Sequence, residues 1–435
     1  MKTDLRYAVS TLKPLGRLLV NTDNISTWEH DTKTLPFSCR RLRRKYRMFA
    51  KKYLEPIALE VDGDIEHFDP LPVLRAAGRE GLLSEAMFRP VGSGSLSAML
   101  FSGGLTFPIA LKGEELMSAC GGLGLLILDH ELGIAPIMLA GDLFQFFKWL
   151  GKIAYANLHG EPCPVAFAIT EPSAGSDVEE TEGALKARLM TYAEPVEGGY
   201  RLNGRKVFIS NGAVSKYVTL FAAMKGEGIE SWTCFLLDKE MKGFSVGRHE
   251  RKMGQRASDA SELILEDVFV PGSRVIGKLR GGWALNRNVL VYSRVGVAAM
   301  SLGIARSALE KTVDFCRTHS LGGKRLIEYQ DVQLSIADMM IDVSAARGMV
   351  WQAARSTKPY QAATAGAKVF ASDTAYRVSN LAMEIMGDYG YVHEYGVEKA
   401  LRDARLTQIY EGTNQVNRLA VIEWQFDSEL AQTVY

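Results

Sequence analysis

Apolar residues recur at helical spacing through the first third of the chain. Between residues 39 and 162 they return every three or four positions, as at Tyr46, Phe49 and Tyr53, and this periodicity predicts a series of helices. Residues 1–38 mix Thr, Asp, Asn and Pro without a clear period. They are interpreted as an N-terminal extension that precedes the first domain.

The period of the pattern then falls to two. Val165, Phe167 and Ile169 alternate with smaller residues in a predicted strand, and Asn203-Gly204 predicts the turn of a β-hairpin. Further strands are predicted at residues 217–224, 232–237 and 263–270. This central section therefore reads as a compact β domain.

Helical periodicity returns from residue 281 onward, so the order is helices, then strands, then helices. Segregated runs of this kind favour an α+β fold over a βαβ one. The pattern divides the chain into an extension, a helical domain, a β domain and a second helical domain, at residues 1–38, 39–162, 163–277 and 278–435.

The composition of the 435 residues, 47% apolar and 23% charged, is that of an ordinary globular protein. The net charge of +1 predicts no general attraction to nucleic acid. Five scattered cysteines include no Cys-x-x-Cys pair, so neither a disulfide framework nor a metal site is predicted, and a cytoplasmic location is expected. The N-terminus shows no signal peptide, and no apolar run reaches the roughly 18 residues of a transmembrane span.

The most informative motif is the run 409–413, Ile-Tyr-Glu-Gly-Thr. A carboxylate between an aromatic residue and a Gly-Thr pair suits a base, Glu411, that must reach a bound substrate. Two upstream runs fit the same chemistry: small and hydroxyl residues after a strand at 170–177, and Phe208 and Ser210 on one side of a strand. Each run alone is more typical of an ordinary turn or strand end.

These three runs, with those at 253–258 and 266–271, resemble the motifs of the acyl-CoA dehydrogenase family. The resemblance covers residues 39 to about 425 and implies a helical N-terminal domain, a β-barrel-like middle domain and a C-terminal four-helix bundle. It also implies FAD between the last two domains, an acyl-CoA substrate, electron-transfer flavoprotein as redox partner, and a homodimer or homotetramer.

The resemblance implies a role for Glu411 as the base that removes the α-proton of an acyl-CoA thioester while the β-hydrogen leaves as hydride to FAD. The backbone N–H of the base residue would help to hold the thioester oxygen. Some relatives carry the base on an earlier helix, but the corresponding residues 289–295 contain no carboxylate.

The other site residues follow from the same resemblance. Those matched to FAD contacts are Phe167, Ile169, Thr170, Phe208, Ser210, Thr413 and Gln415. Those matched to acyl-CoA contacts are Ser176, Arg294 and Tyr410.

The chain departs from the family pattern where relatives contact the FAD pyrophosphate. His319 stands near the position of a family arginine, and Glu384 and Asp388 replace a glutamine and a glycine. The change in charge is unfavourable for a pyrophosphate. Lys324 and Arg325 are the nearby cations that could compensate.

Two further features leave alternatives open. The aromatic run 143–150 is expected to be a buried helix face, and the basic run 40–47 a solvated charged face. The alternative is a docking surface for a redox partner or a membrane. Asp129, His130 and Glu131 interrupt the predicted acyl-pocket helix and are expected to face solvent or a loop, or one of them to contact a polar acyl group. No arginine occurs on this helix to hold the distal carboxylate of a glutaryl chain.

Three functions remain in competition at this stage. The leading one is dehydrogenation of an acyl-CoA to the trans-2-enoyl-CoA. The others are an enoyl-CoA reductase of the same fold, and a flavin-poor protein that binds acyl-CoA or takes part in assembly without catalysis.

Overall fold

The computed structural model describes residues 25–95, 103–179 and 181–427, together with Lys13 and Gly16. Within these ranges the predicted order of helices, strands and helices is confirmed. The rest of the predicted N-terminal extension lies outside the described residues.

Helices form the first part of the chain. Their bounds are Thr27–Thr34 (α1), Phe37–Phe49 (α2), Ala58–Gly63 (α3), Leu71–Arg79 (α4), Phe107–Ala119 (α5), Gly121–Leu139 (α6), Leu143–Gln145 (α7) and Gly151–Leu158 (α8). One π-helical turn, Ala50–Leu54, continues α2, and another, Phe146–Leu150, joins α7 to α8.

The last third of residues 1–38, the predicted extension, contains helix α1. Helix α1 begins at a cap in which the Ser26 hydroxyl accepts a hydrogen bond from the Glu29 N–H at 3.2 Å. The Trp28 indole N–H ties the helix to α5 of the first domain by donating to Glu115 at 2.7 Å, and the ion pair of Asp31 with Arg347 at 3.1 Å ties it to the helix Gln330–Ala354 of the C-terminal bundle. Its period is hard to read because it is short and largely polar.

Strands and one short helix make up the middle part. The strands are Val165–Ala168 (β1), Tyr192–Val196 (β2), Gly199–Ser210 (β3), Tyr217–Met224 (β4), Thr233–Asp238 (β5), Phe244–His249 (β6), Ala260–Pro271 (β7) and Val275–Ile276 (β8), and the helix is Thr181–Lys186 (α9). They pair in the order β6-β7-β3-β2-β4-β5-β8, and β1 runs parallel to residues 217–220 of β4, on the edge opposite β5. Both faces of β4 are buried, and the face that carries Tyr217 and Phe221 belongs to a core shared with α6 and α8.

The prediction of a hairpin turn at Asn203-Gly204 is wrong. Both residues lie inside β3, where Asn203 stands opposite two residues of β7 in a bulge of that strand and Gly204 has a φ of 138°. The Asn203 side chain bridges to the neighbouring strand by accepting from the Asp267 N–H at 2.9 Å. The turn between β2 and β3 instead falls at Glu197-Gly198, where Gly198 adopts a φ of 77°.

The last part of the chain is a helical bundle. Its helices are Gly282–Thr318 (α10), Gln330–Ala354 (α11), Gln361–Met386 (α12), Val397–Thr407 (α13) and Asn414–Asp427 (α14), with a small hairpin of Ser320–Leu321 (β9) and Lys324–Arg325 (β10) after α10. Helix α10 is the central element, and it packs against α11, α12 and α13 and also against α5. Both α6 and α10 are long and apolar enough to cross a membrane, but 83% and 72% of their most apolar windows are buried in the protein.

Five charged residues join the two helical parts and are called the interhelix cluster: Arg43, Glu114, Glu115, Arg306 and Arg347. The Arg43 guanidinium donates to Glu115 at 2.9 Å, and Arg306 and Arg347 reach Glu115 and Glu114 at 2.8 and 3.0 Å. The basic run 40–47 is therefore not simply a solvated face, because Arg43 is fully buried.

Candidate active site

A cavity of about 600 Å³ lies between α6, the middle domain, α10 and the loop from α13 to α14. Nine of the eleven predicted site residues line it: Phe167, Ile169, Thr170, Ser176, Phe208, Ser210, Tyr410, Glu411 and Thr413. Arg294 and Gln415 do not line it. Arg294 is buried behind the wall, and Gln415 is exposed on α14.

The loop between α13 and α14 turns Glu411 into the cavity with a left-handed backbone. Glu411 has a φ of 57° and is followed by Gly412 with a φ of 79°. The loop is tied to α12, because Lys368 donates to the Gly412 carbonyl at 2.8 Å and to the Asn414 side chain at 2.9 Å. A side chain at residue 412 would also meet a Glu179 carboxylate oxygen at 2.4 Å, so glycine suits this turn for two reasons.

The Glu411 carboxyl accepts a hydrogen bond from the Ser293 hydroxyl on α10. Burial raises the pKa of Glu411, while the Ser293 hydrogen bond and the charges of Arg294 and Lys368 act in the opposite direction. The result is a carboxyl that holds a proton more readily than an exposed glutamate does. The Glu411 backbone N–H makes no hydrogen bond within the described ranges.

Sequence reasoning missed a second carboxyl beside Glu411. Glu179 is buried against Gly412, with Oε2 at 3.7 Å from a nitrogen of Arg294 and without a hydrogen-bond partner in the described part of the chain. Burial raises the pKa of Glu179 to about 7, and burial lowers the pKa of Lys368 to about 7. Glu179, Arg294, Lys368 and Glu411 are called the base cluster.

The wall contributed by the middle domain is flat and aromatic. Phe167 and Ile169 lie on and after β1, and Phe208 extends from a β3 residue with a φ of 59° and remains 60% exposed. The hydroxyls of Thr170 and Ser210 have no hydrogen-bond partner among the described residues. An exposed aromatic ring beside unpaired hydroxyls is suited to a flat, hydrogen-bonding ring system.

Tyr410 lies on the opposite wall, where it is half-buried. Its hydroxyl is 3.4 Å from the Gln255 side-chain oxygen, and Gln255 in turn donates to the Asp403 carbonyl at 2.9 Å. Burial raises the pKa of Tyr410, so the phenol stays neutral near pH 7. The residue is fixed beside Glu411 as a neutral hydrogen-bonding group.

The expectation that Asp129, His130 and Glu131 face solvent or a loop is wrong, because all three are buried. The His130 ring nitrogen accepts from the Val165 N–H at 3.3 Å, and Glu131 pairs with Lys112 at 2.6 Å. The two residues therefore join α6 to β1 and to α5. Asp129 alone lines the cavity without such a partner in the described ranges.

The residues that depart from the family pattern lie away from this cavity. His319 stacks on Phe315 with ring centroids 3.8 Å apart, and Glu384 accepts a hydrogen bond from Asn380 at 2.6 Å. Asp388, Lys324 and Arg325 are exposed. Their effect on a pyrophosphate stays a prediction.

The aromatic run 143–150 is divided between the two expected environments. Leu143, Phe144 and Phe147 are exposed, whereas Trp149 and Leu150 are buried against the middle domain. One side of the run therefore belongs to the core, and the docking role of the other side stays a prediction.

Comparison with known families agrees with this architecture. Residues 166–268 match the family described as acyl-CoA dehydrogenase, middle domain, and residues 280–426 match acyl-CoA dehydrogenase, C-terminal domain. The chain belongs to the acyl-CoA dehydrogenase family. Members of this family depend on a flavin.

Individual relatives support the same assignment. A short-chain specific acyl-CoA dehydrogenase from Clostridium acetobutylicum is 32% identical over 387 residues, which cover 87% of this chain and 96% of the relative. An acryloyl-CoA reductase (NADH) from Anaerotignum propionicum is 33% identical over 384 residues, covering 87% and 92%. The structure of butyryl-CoA dehydrogenase from Megasphaera elsdenii superposes with a TM-score of 0.81 at 31% identity, covering 90% of this chain and 98% of that one.

Proposed function

We propose that this protein removes hydrogen from the α and β carbons of a short acyl-CoA thioester, with Glu411 as the base and FAD as the cofactor. The environment of Glu411 carries the proposal: a carboxyl turned into a cavity by a left-handed backbone, with its pKa raised by burial. A base poised nearer to neutral pH is what proton abstraction from carbon needs.

The residues on the middle-domain wall fit FAD at its ring end. Phe208 offers an exposed aromatic face, and the Thr170 and Ser210 hydroxyls are unpaired in the described part of the chain. FAD held there would supply the acceptor for the hydride that leaves the β carbon.

The chain's own residues would act on the α-proton and on the thioester oxygen. Ser293 occupies Oε1 of Glu411, which leaves Oε2 to take the proton. As the proton leaves, negative charge develops on the thioester oxygen, and the free backbone N–H of Glu411 is a fixed donor beside it. One such preorganised donor contributes roughly 2.7–4 kcal/mol to the stability of a transition state.

The test is the visible spectrum of the anaerobic protein before and after addition of butanoyl-CoA and longer homologues. The wild-type flavin band should bleach, and Glu411→Gln should slow bleaching by roughly 10³-fold or more while keeping the band. Glu394→Gln, which removes an exposed carboxyl outside the cavity, is the matched control and should bleach normally. Protein that carries no flavin and takes up none would support the flavin-poor alternative instead.

The reverse reaction is a second candidate because one relative is an acryloyl-CoA reductase. Glu411, once protonated, would return the proton to the α carbon of an enoyl-CoA. Oxidation of the reduced protein by acryloyl-CoA or 2-butenoyl-CoA, compared with its reduction by the saturated esters, would establish the favoured direction. Electron-transfer flavoprotein as the acceptor and a homodimer or homotetramer belong to the same proposal and rest on family membership.

A further inference from the structure

One carboxyl interrupts the apolar side of α6 that faces the cavity. Leu125, Leu128, Asp129 and Leu132 line the cavity together, at the three- and four-residue steps that bring side chains to one side of a helix. Glu131 lies at the edge of this side but is held by Lys112. Asp129 is thus the single polar group that an acyl chain lying along these leucines would meet on the helix.

Asp129 is built into the wall without a partner. It is only 6% exposed, and its Oδ2 is buried with no hydrogen-bond partner within the described residues. Burial raises the pKa of Asp129 well above its ordinary value, the charge of Glu411 adds to this effect, and the charge of Lys252 opposes it. The protonated form that this shift favours can both donate and accept a hydrogen bond.

We propose that Asp129 binds a neutral oxygen group, a hydroxyl or a carbonyl, carried by the acyl chain of the substrate; this assignment rests on the proposed function. A buried polar group without a protein partner is unfavourable, and a ligand that supplies the partner removes that cost. The oxygen belongs on the γ carbon or beyond, because the α and β carbons become the double bond.

The charges around Asp129 favour a neutral group over an ionised one. A carboxylate would be repelled by Glu411, whose charge acts on Asp129 more strongly than the opposing charge of Lys252. An ammonium group would meet Lys252, which lines the same cavity and whose Nζ donates to the carbonyls of Gln255 and Ser258. A hydroxyl meets neither difficulty and matches both hydrogen-bonding functions of the acid.

The experiment compares two CoA esters of equal size, 4-hydroxybutanoyl-CoA and pentanoyl-CoA, which differ by a hydroxyl in place of a methyl group. A second pair, 5-hydroxypentanoyl-CoA and hexanoyl-CoA, moves the oxygen one carbon outward. Dissociation constants are measured by calorimetry in Glu411→Gln, which slows turnover, with and without Asp129→Leu. The kcat/KM ratio of each pair is measured in parallel with Glu411 intact.

With Asp129 present, the hydroxylated ester of at least one of the two pairs should bind about tenfold more tightly than its methyl counterpart. Asp129→Leu should reverse that preference, and Asp129→Asn, which keeps a donor and an acceptor, should retain it. The thermal midpoint of Asp129→Leu should be equal to or higher than that of wild type, because no protein contact of Oδ2 is lost. A lowered midpoint with an unchanged preference would mean that Asp129 is structural, and the inference would be overturned.

The two proposals fail in different ways. Bleaching by pentanoyl-CoA, with hydroxyl and methyl esters equally bound in wild type and in Asp129→Leu, would overturn only the role of Asp129. A flavin band that no CoA ester bleaches, in a protein that binds none of them, would overturn the proposed function and this inference together.

Discussion

Two groups of buried charges in this protein differ in how completely they are paired. In the interhelix cluster the carboxylates accept several short hydrogen bonds from arginines at 2.8–3.0 Å. Burial alone would raise the pKa of Glu114, but Arg347, Arg43 and Arg306 hold it below its ordinary value. In the base cluster, Arg294 approaches Glu179 only to 3.7 Å, and burial dominates.

The comparison shows how one fold obtains opposite behaviour from the same side chain. Where cations surround a carboxylate at hydrogen-bonding distance, the charge is fixed and serves to join helices. Where pairing is incomplete, the carboxyl can gain and lose a proton near neutral pH, which a catalytic base requires. Pairing, rather than burial alone, separates the two roles.

The largest effect is expected on the free energy of unfolding, when one carboxylate of the interhelix cluster is removed. Glu114→Gln leaves Arg43, Arg306 and Arg347 without one of their carboxylates, and the free energy of unfolding should fall by about 3–5 kcal/mol. Chemical denaturation measures the change. The control is Glu310→Gln, whose half-exposed carboxyl is 3.6 Å from Arg306 and should change the free energy by less than about 1 kcal/mol. Equal effects of the two variants would contradict the distinction.

A smaller effect on stability, which depends on pH, is expected when Glu179 is replaced. Because folding raises its pKa from 4.5 to about 7, its contribution to stability is fully present below pH 4.5 and is lost as the pH rises through 7. Glu179→Gln does not undergo this loss. The free energy of unfolding of Glu179→Gln, relative to that of wild type, should therefore increase by about 2–3 kcal/mol between pH 5 and pH 8. A difference that is independent of pH would show that Glu179 is not held protonated.

The smallest effect is expected on the pH dependence of catalysis, when the hydrogen bond to the Glu411 carboxyl is removed. Ser293→Ala removes a hydrogen bond that favours the ionised form of Glu411, so the pKa of Glu411 should rise further. The acidic limb of the pH profile of kcat/KM should move to higher pH by about half a unit to one unit. Ser301→Ala removes a buried hydroxyl of the same helix, which donates to the Val297 carbonyl, and should leave the profile in place.

Much of the fold and of the cavity could be predicted from the sequence because the signals are local. The strand predicted at 217–224 is β4 with its observed bounds, and the motif runs predicted nine cavity residues. The irregular pairing beside Gly204 could not be distinguished from a turn, because a glycine after an asparagine suits both. Which one forms depends on Asp267, more than 60 residues away in the sequence.

The missed parts of the site depend on contacts between distant elements. Glu179 follows a recognisable motif, but its importance comes from Arg294 on α10 and Gly412 after α13. The burial of Asp129 could not be read from three adjacent polar residues, since two of them are paired with β1 and α5. Periodicity predicts which residues share a helix face, and tertiary packing decides what that face meets.

The connection of the Glu411 loop to α12 has a consequence for the order of folding. The bonds from Lys368 to Gly412 and from Ser372 to Asn414 join residues 44 and 42 positions apart. The left-handed turn at Glu411 can therefore be fixed only after α12 and α14 have packed together. During refolding, helix content should return before enzymatic activity, and the delay between the two would time the closing of this last contact.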